Sequence, residues 1–135
     1  MKILFLILLF SLKVFAPQDR VLYIPEAPVI APYEDIWQAV ISVESGGDPF
    51  AIGDRHLKEF SYGIAQIRRV RLEDYNRRTN SNYILIDVFN PDVSKRIFIY
   101  YCDLYGPYRT DYAIRRWNGQ GRKTFDYLKR VKEKL

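Results

Sequence analysis

Between Ile36 and Gly47 the chain sets the tightest constraint on its own fold. Ile36, Trp37, Val40 and Ile41 recur at the three- and four-residue steps of a helix, and Glu44 falls three past Ile41 and four past Val40, on the same apolar face. A carboxylate stands where another apolar side chain is due. Ser45, Gly46 and Gly47 then stop the helix, which leaves Glu44 in its last turn, near the negative end of the helix dipole and beside a loop that can face solvent. Desolvation and dipole both disfavour the ionised form. Glu44 is therefore expected to hold its proton nearer neutrality than a free carboxyl does, which is the state a general acid needs. By itself the residue reads equally well as an exposed or arginine-paired helix end.

The rest of the chain reads as short helices joined by loops. The first helix is expected over Pro32 to Glu44, with Glu34 and Asp35 in its favourable first turn. A loop follows to Gln66, then a helix that includes Arg71 to Arg78. Residues Asn82 to Phe89, β-branched and aromatic, read as an extended segment or loop. Asn90, Pro91 and Asp92 signal the start of a helix to Tyr105 with Ile97, Tyr101 and Leu104 on one face, and Gly106-Pro107 ends it. Thr110 to Trp117 is expected to bury Ala113, Ile114 and Trp117. The last helix, from Thr124, places Phe125, Leu128, Val131 and Leu135 at helical spacing. The class is mainly α.

Upstream of this body lie two segments of different character. Residues 1–16 carry Lys2, an apolar run from Ile3 to Phe10, and Val14 and Ala16, which reads as a signal peptide or uncleaved leader, too short for a spanning helix of ~20 apolar residues. Lys13 interrupts the end of the apolar stretch and Pro17 disfavours cleavage after Ala16. Residues 17–32, with Pro17, Pro25, Pro28 and Pro32, read as a spacer or a surface arm. The domain proper is residues 33–135, one core's worth of chain. Cys102, the single cysteine, sits among Ile97, Phe98, Tyr101 and Tyr105 as a buried inert thiol. His56 is also alone, so no zinc cluster is expected, and no cofactor. The formal charge of +5, two units of which come from Lys2 and Lys13, suits an anionic polymer or simply a soluble basic surface.

Four motifs follow Glu44 in order: ESGGDPFAIGD, SYGIAQI, WNGQG and TFDYLKRV. The series resembles the transglycosylase domain of the soluble lytic transglycosylases, relatives of the goose-type lysozymes, over roughly residues 33–135. Such a domain has a lysozyme-like fold with its cleft between two groups of helices. The resemblance rests on Glu44-Ser45, on Gly63 to Ile67, on Trp117-Asn118-Gly119 and on Tyr127. It departs from the family in Ala65 for a usual Met, Trp117 for a usual Tyr, and Arg116 where a small residue is common.

What the resemblance implies is a single Glu that protonates the leaving oxygen and then takes the proton of the sugar's own C6 hydroxyl, leaving a 1,6-anhydromuramoyl end. Glu44 is the candidate for both steps. Hydrolases of glycosidic bonds ordinarily use two carboxyl groups, and Asp48, Asp54, Glu59 and Asp111 are the others within reach, which keeps a hydrolytic muramidase as the alternative and a non-catalytic wall-binding module as a third reading. Gln66 either bonds loop backbone or contacts substrate; Ser45 either caps backbone or touches an acetamido group. Gly63 allows close approach or unusual dihedrals, and Tyr62 is a sugar-stacking or a core ring. Asn118 and Trp117 face the cleft by resemblance, although locally they read as a buried aromatic and a helix-ending turn. Tyr127, by the same carry-over, bonds the catalytic carboxyl; by spacing it is one more helix aromatic. The expected partner is peptidoglycan glycan strands and not nucleic acid, with cell-envelope machinery a further candidate. The protein is expected to be exported, periplasmic or in the cell envelope, and a monomer.

Overall fold

A computed structural model describes residues 33–106 and 108–135; the leader and spacer expected over 1–16 and 17–32 lie outside them. The described chain is mainly helical. Helix α1 (Glu34–Glu44) precedes a small antiparallel sheet of β1 (Ile52–Gly53), β2 (Ser61–Tyr62) and β3 (Ile67–Arg68). Helix α2 (Arg69–Thr79) leads to a 3₁₀ turn (Leu85–Phe89), and α3 (Pro91–Tyr105), α4 (Thr110–Asn118) and α5 (Lys123–Lys132) complete the order.

The apolar stripe of α1 is buried as its spacing requires: Ile36, Trp37, Ala39, Val40 and Ile41 all face inward. Asn90 caps α3 by accepting the Asp92 amide at 2.9 Å, and Pro91 occupies the first helical position, where its missing N–H leaves no bond unmade. Helix α5 packs on both α1 and α4, while α3 packs on α4 and on the 3₁₀ turn. Val40, Ile97, Phe98, Ile114 and Val131 lie fully buried where these helices meet. Each such side chain contributes roughly 1.5–3 kcal/mol relative to leaving it in water. Trp37 packs on Phe98 and Phe98 in turn on Trp117, with ring centroids 5.5 and 5.1 Å apart, so an aromatic row runs from α1 through α3 to α4.

Several expectations are corrected. Residues 45–66 are not a plain loop: the register Ile52 with Tyr62 and Tyr62 with Ile67 makes a three-stranded meander. Residues 85–89 are helical and not extended, because the Asp87 carboxylate accepts the Ile84 amide at 2.8 Å and Val88 turns into the core. On α3 the buried face is Ile97, Phe98, Tyr101 and Cys102, and Leu104 is exposed. On α5 it is Thr124, Tyr127 and Val131. Phe125 faces out with the Arg115 guanidinium over its ring at 3.5 Å, and Leu135 lies past the helix end and is exposed.

Candidate functional site

An open cleft of about 800 Å³ runs between the end of α1, the sheet, α2 and the α4–α5 corner. Glu44 lies in its wall because α1 ends there. The amides of Ser45 and Gly47 both bond the Ile41 carbonyl, at 3.1 and 3.2 Å, which closes the helix and turns the chain away just after the carboxylate. Ser45 Oγ donates to the Ile64 carbonyl at 2.7 Å and accepts from the Gly47 amide at 3.2 Å. Of the two roles expected of Ser45 the hydroxyl takes the backbone one: it ties the end of α1 to the turn between β2 and β3, outside the cleft lining.

Tyr127, from the buried face of α5, donates its hydroxyl to Glu44 Oε1 at 2.6 Å across 83 residues of sequence. Tyr127 is only 1% exposed, and its hydroxyl is given to the carboxyl as the resemblance implies, which makes it a positioning residue at the cleft wall. Burial pushes the Glu44 pKa from 4.5 up to about 7, against the opposing pull of the Tyr127 hydrogen bond and the Arg130 and Arg71 charges and with a smaller push from Asp54. The result is a carboxyl that is half protonated at neutral pH.

Gln66 also lines the cleft, yet its amide is taken up by its own loop. Nε2 donates to the carbonyls of Ala51 and Gly63, at 3.3 and 3.0 Å, and Oε1 accepts the hydroxyl of the buried Ser61 at 2.7 Å. It does so from a left-handed backbone conformation, with φ at +51°. A Cβ at Gly53 would run into the Gln66 amide oxygen, and one at Gly63, where φ is +75°, would run into the Val88 carbonyl. Gly63 is therefore needed to seat the sheet on the 3₁₀ turn and lies outside the cleft lining. Gly63 thus has the close approach and unusual dihedral expected of it, and Tyr62, also outside the lining, takes the packing role of the two expected, edge-on against Phe89 at 6.2 Å.

Trp117 and Asn118 reach the cleft from the last turn of α4. The face of Trp117 is covered by the Arg71 guanidinium, 4.4 Å from the ring centroid, so the indole supports the wall and offers no open stacking surface. Asn118 is exposed at the rim, and its amide has no partner among the described residues. It is the cleft's open polar handle.

Arg71 reads in the sequence only as one of several basic residues that could favour anionic wall polymers; its place in the cleft escapes that reading. Its guanidinium lies over Tyr101 at 4.8 Å as well as over Trp117, and its Nη2 donates to the Trp117 carbonyl at 2.7 Å. Those partners lie 30 and 46 residues away, and the only local signal is that Arg71 shares a face with buried Tyr75 four residues on. Three further carboxylates line the cleft, of which Glu73 is exposed and has no ion pair among the described residues, while Asp54 and Asp74 are spoken for. Asp54 pairs with Arg68 at 2.7 Å, and Asp74 accepts the Tyr101 hydroxyl at 2.7 Å and pairs with Arg77 and Arg78. Asp48 is a turn residue, its carboxylate accepting the Phe50 amide at 2.9 Å. Among the described residues no group of three or more His, Cys, Asp or Glu is placed to hold a metal ion. Searches of protein-family models, of curated proteins and of solved structures return no significant match to this chain.

Proposed function

We propose that the cleft is the active site of an exported peptidoglycan lytic transglycosylase built on a lysozyme-like arrangement of helices. The observation that carries this reading is the Glu44 carboxyl, half protonated at neutral pH and fixed by Tyr127 in the wall of a groove large enough for sugar rings. In its acid form Glu44 gives its proton to the oxygen between N-acetylmuramic acid and N-acetylglucosamine, and the C1–O bond breaks toward an oxocarbenium-like centre. The resulting carboxylate then takes the proton of the muramoyl C6 hydroxyl as O6 bonds to C1. The Glu44 proton is restored and the product carries a 1,6-anhydro ring. Asn118, with a free amide at the rim, is the group best placed to bond the sugar during both steps.

A hydrolytic muramidase is the second reading, favoured by one observation: Asp54 lines the same groove and its charge reaches Glu44. The ion pair with Arg68 weighs against Asp54 as a free second carboxylate. Purified sacculi incubated with the protein, followed by mass spectrometry of the soluble fragments, decide the matter. Anhydro ends are expected; reducing ends would replace the transglycosylase with a hydrolase, and no soluble fragments would leave a wall-binding module. Glu44→Gln is expected to abolish release, and unchanged release by that variant would remove Glu44 from the chemistry.

A further inference from the structure

We propose that Arg71 is a carboxylate-binding residue of the cleft, reading an acidic group on the ligand beside Glu44. The inference rests on the saccharide reading above and adds the chemical class of group that the groove selects. Three observations support it. First, Arg71 is half-buried in the cleft lining, yet no carboxylate among the described residues lies within 4.0 Å of it, whereas its neighbours Arg68 and Arg77 are paired with Asp54 and Asp74. Secondly, it is held in place before any ligand arrives, clamped over the Tyr101 and Trp117 rings and tethered to the Trp117 carbonyl through Nη2 alone. That leaves the other guanidinium N–H groups free to grip an anion in a fixed plane. Thirdly, Arg130, a second cation at this end without an acidic partner among the described residues, is exposed and lies over one ring only, Tyr127 at 5.6 Å, with no backbone tether.

An anion seated on Arg71 also alters the acid. The charged and titratable groups that face Glu44 are Tyr127 and Arg130 from α5, Arg71 from α2 and Asp54 beyond β1, while α4 lends this end of the lining only the uncharged Trp117 and Asn118. Arg71 favours the ionised form of Glu44, so neutralising it lets Glu44 take up a proton as the ligand binds.

The carboxylate has two sources in a wall fragment: the lactyl group of an unsubstituted muramic acid, or an acidic residue of the peptide stem. NMR titration of the full chain with N-acetylmuramic acid, its methyl ester, and N-acetylmuramoyl-L-alanyl-D-isoglutamine separates them. At least one charged ligand is expected to bind about tenfold tighter than the ester, and to raise the Glu44 midpoint where the ester does not. Preference for the acid alone assigns the lactyl group, and preference for the dipeptide assigns the stem. Arg71→Met is expected to erase the preference and Arg130→Met to keep it; the ligand comparison on the unaltered chain decides should Arg71→Met not fold. Equal binding of all three ligands overturns the proposal and leaves the saccharide groove standing. Loss of the preference in Arg130→Met overturns it also, and no binding of any ligand removes both readings.

Discussion

Glu44 and Asp74 line one cleft and are pushed in opposite directions. At the α1 end, burial dominates: Glu44 has one hydrogen-bond donor among the described residues, Tyr127, and its pKa rises to about 7. At the α2 end, burial also raises Asp74, but the Tyr101 hydroxyl and the Arg78 and Arg77 guanidiniums outweigh it and hold the carboxyl below its ordinary value of 3.8. Two carboxylates in one groove thus acquire two characters, a proton donor and a permanent anion. Depth of burial and number of donors together make the difference: Glu44 is far more enclosed and has one donor, whereas Asp74 lies nearer the surface and has three.

The largest effect follows from removing the donor. Glu44→Gln is expected to lower turnover on sacculi by roughly a hundredfold or more while making the protein more stable at pH 8. The sign follows from the proton count. Between pH 4.5 and about 7 the folded state binds more protons at Glu44 than the unfolded state does, so stability falls as pH rises through that window. Relieving this is worth on the order of 2–3 kcal/mol, read from chemical denaturation at pH 8 against pH 5, where the gain shrinks. Asp74→Asn is expected to do the reverse, leaving the alkaline limb of the rate in place and reducing stability by about 1 kcal/mol through the Tyr101 bond. Because the Asp74 pKa is depressed, its stabilising share is present above pH 3.8 and fades as pH falls through the lower folded value, so the variant and the unaltered chain should converge in acid. A smaller effect distinguishes the acid from its holder. Tyr127→Phe removes a bond to the ionised form, so the alkaline limb of kcat/KM is expected to move upward with a roughly tenfold loss of rate, whereas a limb that stayed in place would make Tyr127 a packing residue only.

How far the sequence carried this picture depends on where each signal is stored. The inward face of α1 and the place of Glu44 on it are written in nearest neighbours at helical spacing, and α4 buries the same three residues that its spacing names. The sheet was illegible because its strands are two residues long, too short for any alternation to show. On α5 the apolar pattern misled. Phe125 spends its ring under Arg115, and Thr124 takes a buried place by accepting from Arg115 Nε and donating to the Gly121 carbonyl. Tyr127 against Glu44 entered only through the resemblance, since nothing within ten residues of either names the other. Gln66 stands out as a polar group in apolar company and Ser45 by its place in the Glu-Ser pair of the resemblance, and the fold spends both on backbone carbonyls, as buried polar atoms usually are. Cys102 follows the same local logic as α1: it is buried among α3 side chains, and burial lifts its thiol to about 12.

Everything functional depends on Glu44 carrying a proton near neutrality. The most direct measurement is a ¹³C-NMR titration of glutamate-labelled protein, with Glu44→Gln used to assign the Glu44 carboxyl resonance. A midpoint near 7, well apart from the remaining glutamates, is the expected result. A midpoint near 4.5, shared with the exposed carboxyls, would mean that the α1 terminus is open to water and that the cleft holds no acid.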